Sequence, residues 1–226
     1  MNQQRTKSVR NNKFVHPGLI RLFPALVLLL LVLPAYAKYG GSGTLADPYK
    51  IATAEQLYDI GNHQEDWDHG KCFKLVADID LSAYKNVPFT PIGPVYGPTG
   101  VYEDRWFNGV FDGDGHTISN FTYHSPNFND VGLFGTIHGE VKNLGLVNVD
   151  VSRRENVGGL AGGMGGGYRF LVSNCYMTGR VSGQNEVGGL IKHVYGRIHN
   201  CYATTDVSGD TLIGGLVGRA DENHRP

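Results

Sequence analysis

The sequence predicts an all-β fold, a parallel β-helix with a short N-terminal capping helix, and three observations carry that prediction. One short pattern returns four times: Val131-Gly-Leu-Phe-Gly135, Val157-Gly-Gly-Leu-Ala-Gly162, Val187-Gly-Gly-Leu-Ile191 and Ile213-Gly-Gly-Leu-Val-Gly218, with starts 26, 30 and 26 residues apart. Units of that size cannot bury a core alone and must stack on their neighbours. An Asn followed by an apolar or Cys residue also recurs, as Asn120-Phe121, Asn143-Leu144, Asn174-Cys175 and Asn200-Cys201, each with Ile or Val two positions earlier. Finally, the runs between the glycines, such as Glu140-Val-Lys-Asn-Leu-Gly-Leu-Val147 and Arg197-Ile-His-Asn-Cys-Tyr-Ala-Thr204, have the length and β-branched or aromatic content of strands. Each strand would then lie parallel to its counterpart one turn away.

If each interval between asparagines is one turn, Asn120, Asn143, Asn174 and Asn200 stack along the axis. Neighbouring strands sit about 4.8 Å apart, close enough for each side-chain amide to donate to the next. Such a ladder satisfies itself in a buried corner. The alternative is four solvent-exposed turn residues, chosen because Asn tolerates the left-handed region. Neither reading is catalytic.

Residues 1–37 read as a cleaved signal peptide. Arg5, Lys7, Arg10, Lys13 and Arg21 precede an apolar stretch that ends at Leu33, and Pro34-Ala-Tyr-Ala37 supplies the small-x-small cleavage site. The apolar stretch is too short to span a bilayer comfortably. No membrane span is expected once it is removed. Its loss takes away five bases and no acids, leaving 15 Lys and Arg against 21 Asp and Glu. That acidic balance, with no basic stripe, argues against nucleic acid as a partner.

Residues 38–106 read as the N-terminal cap and first strands. Thr53-Ala-Glu-Gln56 has capping-box spacing and opens a short helix through about Ile60, with Leu57 and Ile60 as its apolar face. A solenoid's first turn has an exposed core end, and terminal caps cover such ends. Phe73-Lys-Leu-Val-Ala-Asp-Ile-Asp-Leu81 alternates as a single strand. Asp78 and Asp80 then lie about 7 Å apart on one side, where they could bind a cation or act in glycoside chemistry; the plainer reading is a solvated face. The Pro- and Gly-rich segment 85–102 reads as a loop reaching out of the turns.

Asp112-Gly-Asp-Gly-His116 is the most site-like cluster. Asp112 and Asp114 are weak metal candidates, calcium being the ion the alternation suggests, although the rest of an EF-hand is missing. His116 could serve as a base with Arg105 as charge partner. The competing reading is a sharp turn between strands 107–111 and 117–123. Of the three cysteines, Cys175 and Cys201 share the post-Asn slot on adjacent turns and could stack as thiols or form a disulfide; Cys72 stands apart. His193 and His199 read as exposed. Catalytic residues and cofactors are expected to be absent: there is no His-Glu-x-x-His, no Gly-x-Ser-x-Gly and no Walker loop.

The Val-Gly-Gly-Leu-x-Gly repeats resemble the GLUG motif of secreted and surface-attached bacterial repeat proteins. The preceding Phe107-Asn-Gly-Val-Phe-Asp-Gly-Asp-Gly-His-Thr-Ile-Ser-Asn-Phe121 looks like the segment that leads into such repeats, and the likeness covers residues 39–218. It implies a right-handed parallel β-helix over 107–218. Two departures stand out: an insertion of roughly five residues at Gly162-Gly-Met-Gly-Gly-Gly-Tyr168, and Lys192 where the other repeats place Gly. The family includes adhesin-like proteins and parts of IgA-cleaving metallopeptidases. The resemblance therefore implies an exported, extracellular or surface module, with the periplasm as a further possibility. Its role would be structural, adhesive or binding, toward an unidentified carbohydrate or protein. The alternatives are a carbohydrate-active enzyme on a β-helix or the non-catalytic repeat region of a larger peptidase. Residues 219–226 read as a polar tail where the chain breaks off.

Overall fold

The protein is described here from a computed structural model, which describes residues 38–95, 106–124, 129–153, 155–166 and 170–221. The signal-peptide expectation for residues 1–37, Arg105, and the distal parts of the two loops lie outside the described residues. No helix among the described residues is long and apolar enough to cross a membrane.

The chain coils into a parallel β-solenoid of about six turns. One face stacks six strands, Tyr49–Ile51, Cys72–Leu75, Val110–Asp112, Glu140–Lys142, Leu171–Ser173 and Arg197–His199. The second face stacks Ile79–Asp80, Thr117–Ser119, Gly145–Ser152, Tyr176–Ser182 and Tyr202–Ser208, with Thr122–His124 also pairing on Gly145–Ser152. A third, short face holds Val157–Gly158, Asn185–Gly188 and Thr211–Gly214. The fourth holds Phe134–Ile137, Ala161–Met164, Ile191–Val194 and Val217–Ala220. Every pairing between these strands is parallel.

The repeated motif is the corner between the third and fourth faces. Val157 pairs with Val187 and Val187 with Ile213; Ala161 pairs with Phe134 and Ile191, and Ile191 with Val217. The first Gly of the motif is required by sterics: a Cβ on Gly158, Gly188 or Gly214 would collide with the carbonyl oxygen of Ala161, Ile191 or Val217 respectively. Leu160 and Leu190 at the corner are fully buried, each contributing about 1.5–3 kcal/mol. A turn closes only with a glycine to admit the chain and a leucine to fill the corner.

Inside, equivalent positions form columns. Tyr49, Phe73, Phe111, Val141, Val172 and Ile198 follow one another along the first face. Ile79, Ile118, Leu146, Met177 and Ala203 do so along the second. Along the first face the side chains change from aromatic to aliphatic, and the N-terminal turns carry a packed aromatic cluster in which Phe73 stacks on Phe111 at 6.5 Å.

Helix Ala54–Asn62 replaces the other faces of the first turn. Thr53 caps it, accepting from the Gln56 N–H at 3.3 Å, while Gln56 Oε1 accepts from the Ala52 N–H at 2.8 Å. Leu57 and Ile60 are fully buried, and Trp67 donates to the Ile60 carbonyl at 2.8 Å.

Several expectations need correction. Residues 73–81 are not one strand: Cys72–Leu75 and Ile79–Asp80 lie on different faces, with the chain turning between them. The alternation survives because Phe73, Leu75, Ile79 and Leu81 all point into the core on either side of that corner. The segment at 85–102 does not simply reach outward. Ile92 forms a parallel bridge with Phe134, and Phe89 packs edge-on against Phe121 at 5.0 Å, so the described part closes the core. The coil also runs past residue 218: Arg219 and Ala220 belong to the last strand, and Asp221 is tied back to His193 at 3.0 Å.

Candidate functional site

The asparagine positions resolve into two columns. Asn174 donates to Asn143 at 3.0 Å and Asn200 donates to Asn174 at 3.0 Å, so three of the four stack at the corner between the first and second faces. Asn120 is not among them. It donates instead to Asp80 at 2.7 Å and accepts from Asn148. The reason is register: Ser119 pairs with Val147, which sets Asn120 beside Asn148 on the second face. The slot that matches Asn143 in the preceding turn is Gly113, whose N–H donates to the Lys142 carbonyl.

Both columns end on a carboxylate. Asp112 Oδ1 accepts from Asn143 at 2.9 Å and from the Asp114 N–H at 2.9 Å; Asp80 Oδ1 accepts from Asn120 and from the Ser82 N–H at 2.8 Å. All four asparagines, and Asn148, have positive φ between 52 and 59°. They are half-buried or exposed. The corner is therefore a left-handed turn and an amide ladder at once, lying at the surface rather than in the buried corner expected for it.

The carboxylates singled out from the sequence are engaged in these turns. Asp114 forms an ion pair with Lys74 at 2.9 Å. Asp78 Oδ1 accepts from the Thr117 N–H at 2.8 Å and pairs with His116 at 3.2 Å. The Thr117 N–H, then His116, hold the Asp78 carboxyl below its ordinary range; Asn120, then Ser82, do the same for Asp80. Asp112, Asp114 and His116 share an open cleft of 590 Å³ with Lys50, Lys74 and Lys142, while Asp78 and Asp80 do not line it. Among the described residues no three His, Cys, Asp or Glu side chains converge as metal ligands. Residues 112–116 form a turn, with Asp114 and Gly115 at positive φ.

The cysteines are all free. Cys175 is buried and receives no disulfide from Cys201; the Cys201 sulfur instead accepts from the Cys175 N–H at 3.4 Å. The hydrogen bond to Cys201, with burial, pushes the Cys175 thiol up. Burial does the same to Cys72.

A second hollow, missed from the sequence, opens on the fourth face. Its volume is 340 Å³, at the lower end of the range for small-ligand sites. Two outward columns run across it. Thr136, Gly163 and His193 are in register in one; His138, Gly165 and Tyr195 follow Ile137, Met164 and Val194 in the other. The middle turn contributes only glycine to both columns, so it forms a floor. Trp106 stacks on His138 at 3.9 Å and 21°, and Tyr195 lies 4.2 Å from His193. A Cβ on Gly165 would collide with the His138 ring, so glycine there lets the imidazole lie over the strand and support the indole. Burial lowers the His138 pKa.

Lys192, the departure from the repeat, forms one side of this trough. Its ammonium, 7% exposed, contacts Asp130 at 2.7 Å and Glu186 at 3.3 Å. Burial would raise the Glu186 carboxyl, but Lys192 and Arg219 hold it below its usual range. Arg219 bridges Glu186 at 3.3 Å and Asp221 at 3.0 Å. His193, expected to be exposed, is instead folded against Asp221; His199 is exposed as read. The signal for this site was present in two departures, the glycine-rich insertion and Lys192. Register places the insertion between Ala161 and Leu171, four residues longer than the matching span from Phe134 to Glu140.

This geometry can be set beside known proteins. No family model matches the sequence. Halomucin of Haloquadratum walsbyi is 36% identical over 160 residues, 69% of this chain. A "putative Gly-rich membrane protein" of Evansella cellulosilytica is 36% identical over 137 residues, 60% of this chain. The chain spans 2% of the first relative's length and 15% of the second's. The crystal structure of a "putative immunoglobulin A1 protease" from Bacteroides ovatus superposes with a TM-score of 0.62 at 29% identity, covering 80% of this chain and 55% of that one. The chain is thus similar to segments of much longer proteins.

Proposed function

We propose that this chain is an exported β-solenoid of the GLUG-repeat kind that works at the cell surface or outside the cell as a non-catalytic binding or adhesion module. The observation that carries the reading is the trough on the fourth face. Two aromatic pairs, Trp106 with His138 and His193 with Tyr195, flank a middle turn of glycine, and the buried Lys192 beside them is paired with Asp130 and Glu186. A solenoid presents such a surface rigidly, since each turn is held by parallel pairing on both sides. The leader-like residues 1–37 and the likeness to a Gly-rich membrane protein and to halomucin support the location.

Carbohydrate cleavage is less well supported by the carboxylates. A glycosidase needs one carboxyl whose pKa is raised so that it can donate a proton, whereas Asp78 and Asp80 are held in the opposite direction. Service as the repeat region of a larger peptidase is favoured by one observation, the superposition on the Bacteroides ovatus structure. In that case the coil would again be the binding part, not the catalytic one.

Expression of the full chain in a bacterial host tests the location. The recovered product should begin at Lys38 and be accessible to added protease on intact cells or found in the medium. Retention of the uncleaved chain in the cytosol would overturn the reading.

A further inference from the structure

We propose that the trough on the fourth face binds a neutral saccharide, one or two pyranose rings seated between Trp106 and Tyr195. The proposal rests on the reading of the chain as a binding module and names the class of ligand.

Three features of the trough select this chemistry. The first is the pair of aromatic faces. Trp106 is held flat by its stack on His138, and Tyr195, 40% exposed, stands at the other end of the same column. His138 and Tyr195 are two turns apart, about 10 Å at the ordinary strand spacing. A pyranose presents a face of C–H bonds whose slight positive charge suits the negative face of an aromatic ring.

The second is charge. Lys192 is paired with Asp130 and Glu186, and Arg219 with Glu186 and Asp221, while the His193 ring hydrogen-bonds Asp221, so each fixed charge in the trough already has a partner. A charged ligand would compete with these pairs, and at Lys192, where the pairing is desolvated, drawing off one partner leaves a charge uncompensated. A neutral ligand rimmed with hydroxyls can add hydrogen bonds to the paired groups without displacing either partner, since carboxylates and ammonium groups retain spare acceptors and donors.

The third is what the trough lacks. Its lining offers no deep aliphatic hole: Gly163 and Gly166 form the open floor, the His138 ring lies over Gly165, and Met164 is turned into the core. A peptide anchored by a Leu or Phe side chain would find no pocket to fill. A flat ring lying on glycine and flanked by aromatic faces needs none.

Intrinsic fluorescence tests the proposal directly, because Trp67 is buried and Trp106 borders the trough. The full exported chain is titrated with maltotriose, cellotriose, mannotriose and tri-N-acetylchitotriose, and in parallel with a chondroitin tetrasaccharide and a Phe-containing hexapeptide. At least one neutral trisaccharide should shift the emission saturably, with Kd on the order of 0.1–1 mM for an open site that leaves much of the ligand wet. Its affinity should change less than about twofold between roughly 0.05 and 0.5 M NaCl, because no charge pair forms. Trp106→Phe should abolish the optical signal, and Tyr195→Ala, read by calorimetry, should weaken binding at least about tenfold at unchanged Tm. Binding of only the anionic saccharide or the peptide, no saturation by any neutral sugar, or binding unaffected by Tyr195→Ala would overturn the proposal. Export and surface exposure are read separately, so a failure here leaves the reading as a surface module standing or falling on its own experiment.

Discussion

Asp112 accepts the side-chain amide of Asn143 at 2.9 Å and so terminates a column that continues through Asn174 to Asn200. Every amide in the column donates toward the N-terminal end, and Asn143 and Asn174 also accept from the turn that follows. Their dipoles therefore align, and the carboxylate sits where the N–H ends of those dipoles converge. A charged acceptor at that position strengthens the first bond and, by polarisation, those behind it.

Substitution at the middle of this column separates its two roles. Asn174→Ala loses the amide bonds and places an alanine at φ 52°, which costs about 1–2 kcal/mol for the backbone alone. Asn174→Gly keeps the backbone and loses only the bonds, so its cost of about 1 kcal/mol measures the ladder. Urea denaturation of the two variants should show Ala clearly worse than Gly; a Gly variant as stable as the parent would mean the amides contribute nothing, and equal costs would mean the left-handed backbone contributes nothing.

Asp112→Ala removes the anchor and the turn acceptor for the Asp114 N–H together. The expected loss is about 1.5–3 kcal/mol, as for hydrogen bonds to a charged group. Asp112→Asn should recover part of it, because the amide oxygen still accepts while the charge is gone. Added calcium should leave the Tm of the parent protein within about 1 °C if the carboxylate works as an anchor rather than as a cation ligand.

The second column makes a pH prediction. Hydrogen bonds from Asn120 and Ser82 lower the folded pKa of Asp80, and those from Thr117 and His116 lower that of Asp78. A carboxyl with a folded pKa below its unfolded value, about 3.9, adds stability that is complete above that value. This stability is lost as pH falls through the folded value. Tm should therefore fall as the solution is taken below about pH 4, and Asp80→Asn should make that fall shallower. A variant whose Tm follows the parent in parallel down to pH 2.5 would contradict the assignment.

The parts of this fold legible in the sequence are those fixed by one local steric requirement. Val-Gly-Gly-Leu marks the corner of the third and fourth faces because the first glycine must admit a carbonyl and the leucine must fill the bend, turn after turn. The asparagines were legible as a type but not in register. Asn120 and Asn143 each follow a β-branched residue by two positions and end a short strand, yet they occupy different corners. Gly113 takes the slot that would have revealed this, and its neighbour Asp112 does the work from one position away. The trough was hidden for a different reason. Trp106, His138, Gly165 and Tyr195 come from separate stretches of the chain that meet through strand register, and no local pattern connects them. Lys192 was visible as an exception, but its partner Asp130 lies 62 residues away.

Cysteine reactivity should follow burial. Cys201 lies on the last described turn and is only half-buried, while Cys72 and Cys175 are buried, and their thiols are pushed up in pKa. Iodoacetamide at pH 8 should label Cys201 first and leave the other two until denaturant is added. Mass spectrometry of the labelled protein should find no Cys175–Cys201 disulfide after purification without reductant.

Lys192 supplies the sharpest stability test of the fourth face. Other turns place Gly135, Gly162 and Gly218 in its slot, so Lys192→Gly asks nothing new of the backbone. It does leave Asp130 and Glu186 without their shared cation, at 14% and 17% exposure. Uncompensated carboxylates in so dry a setting should cost about 2–4 kcal/mol, less any relief from Arg219 on Glu186. Adding Asp130→Asn and Glu186→Gln to Lys192→Gly should restore most of that loss, because the penalty belongs to the orphaned charges and not to the missing side chain. If the triple variant is no more stable than the single one in guanidinium denaturation, packing by the lysine stem, rather than its charge, holds this side of the trough.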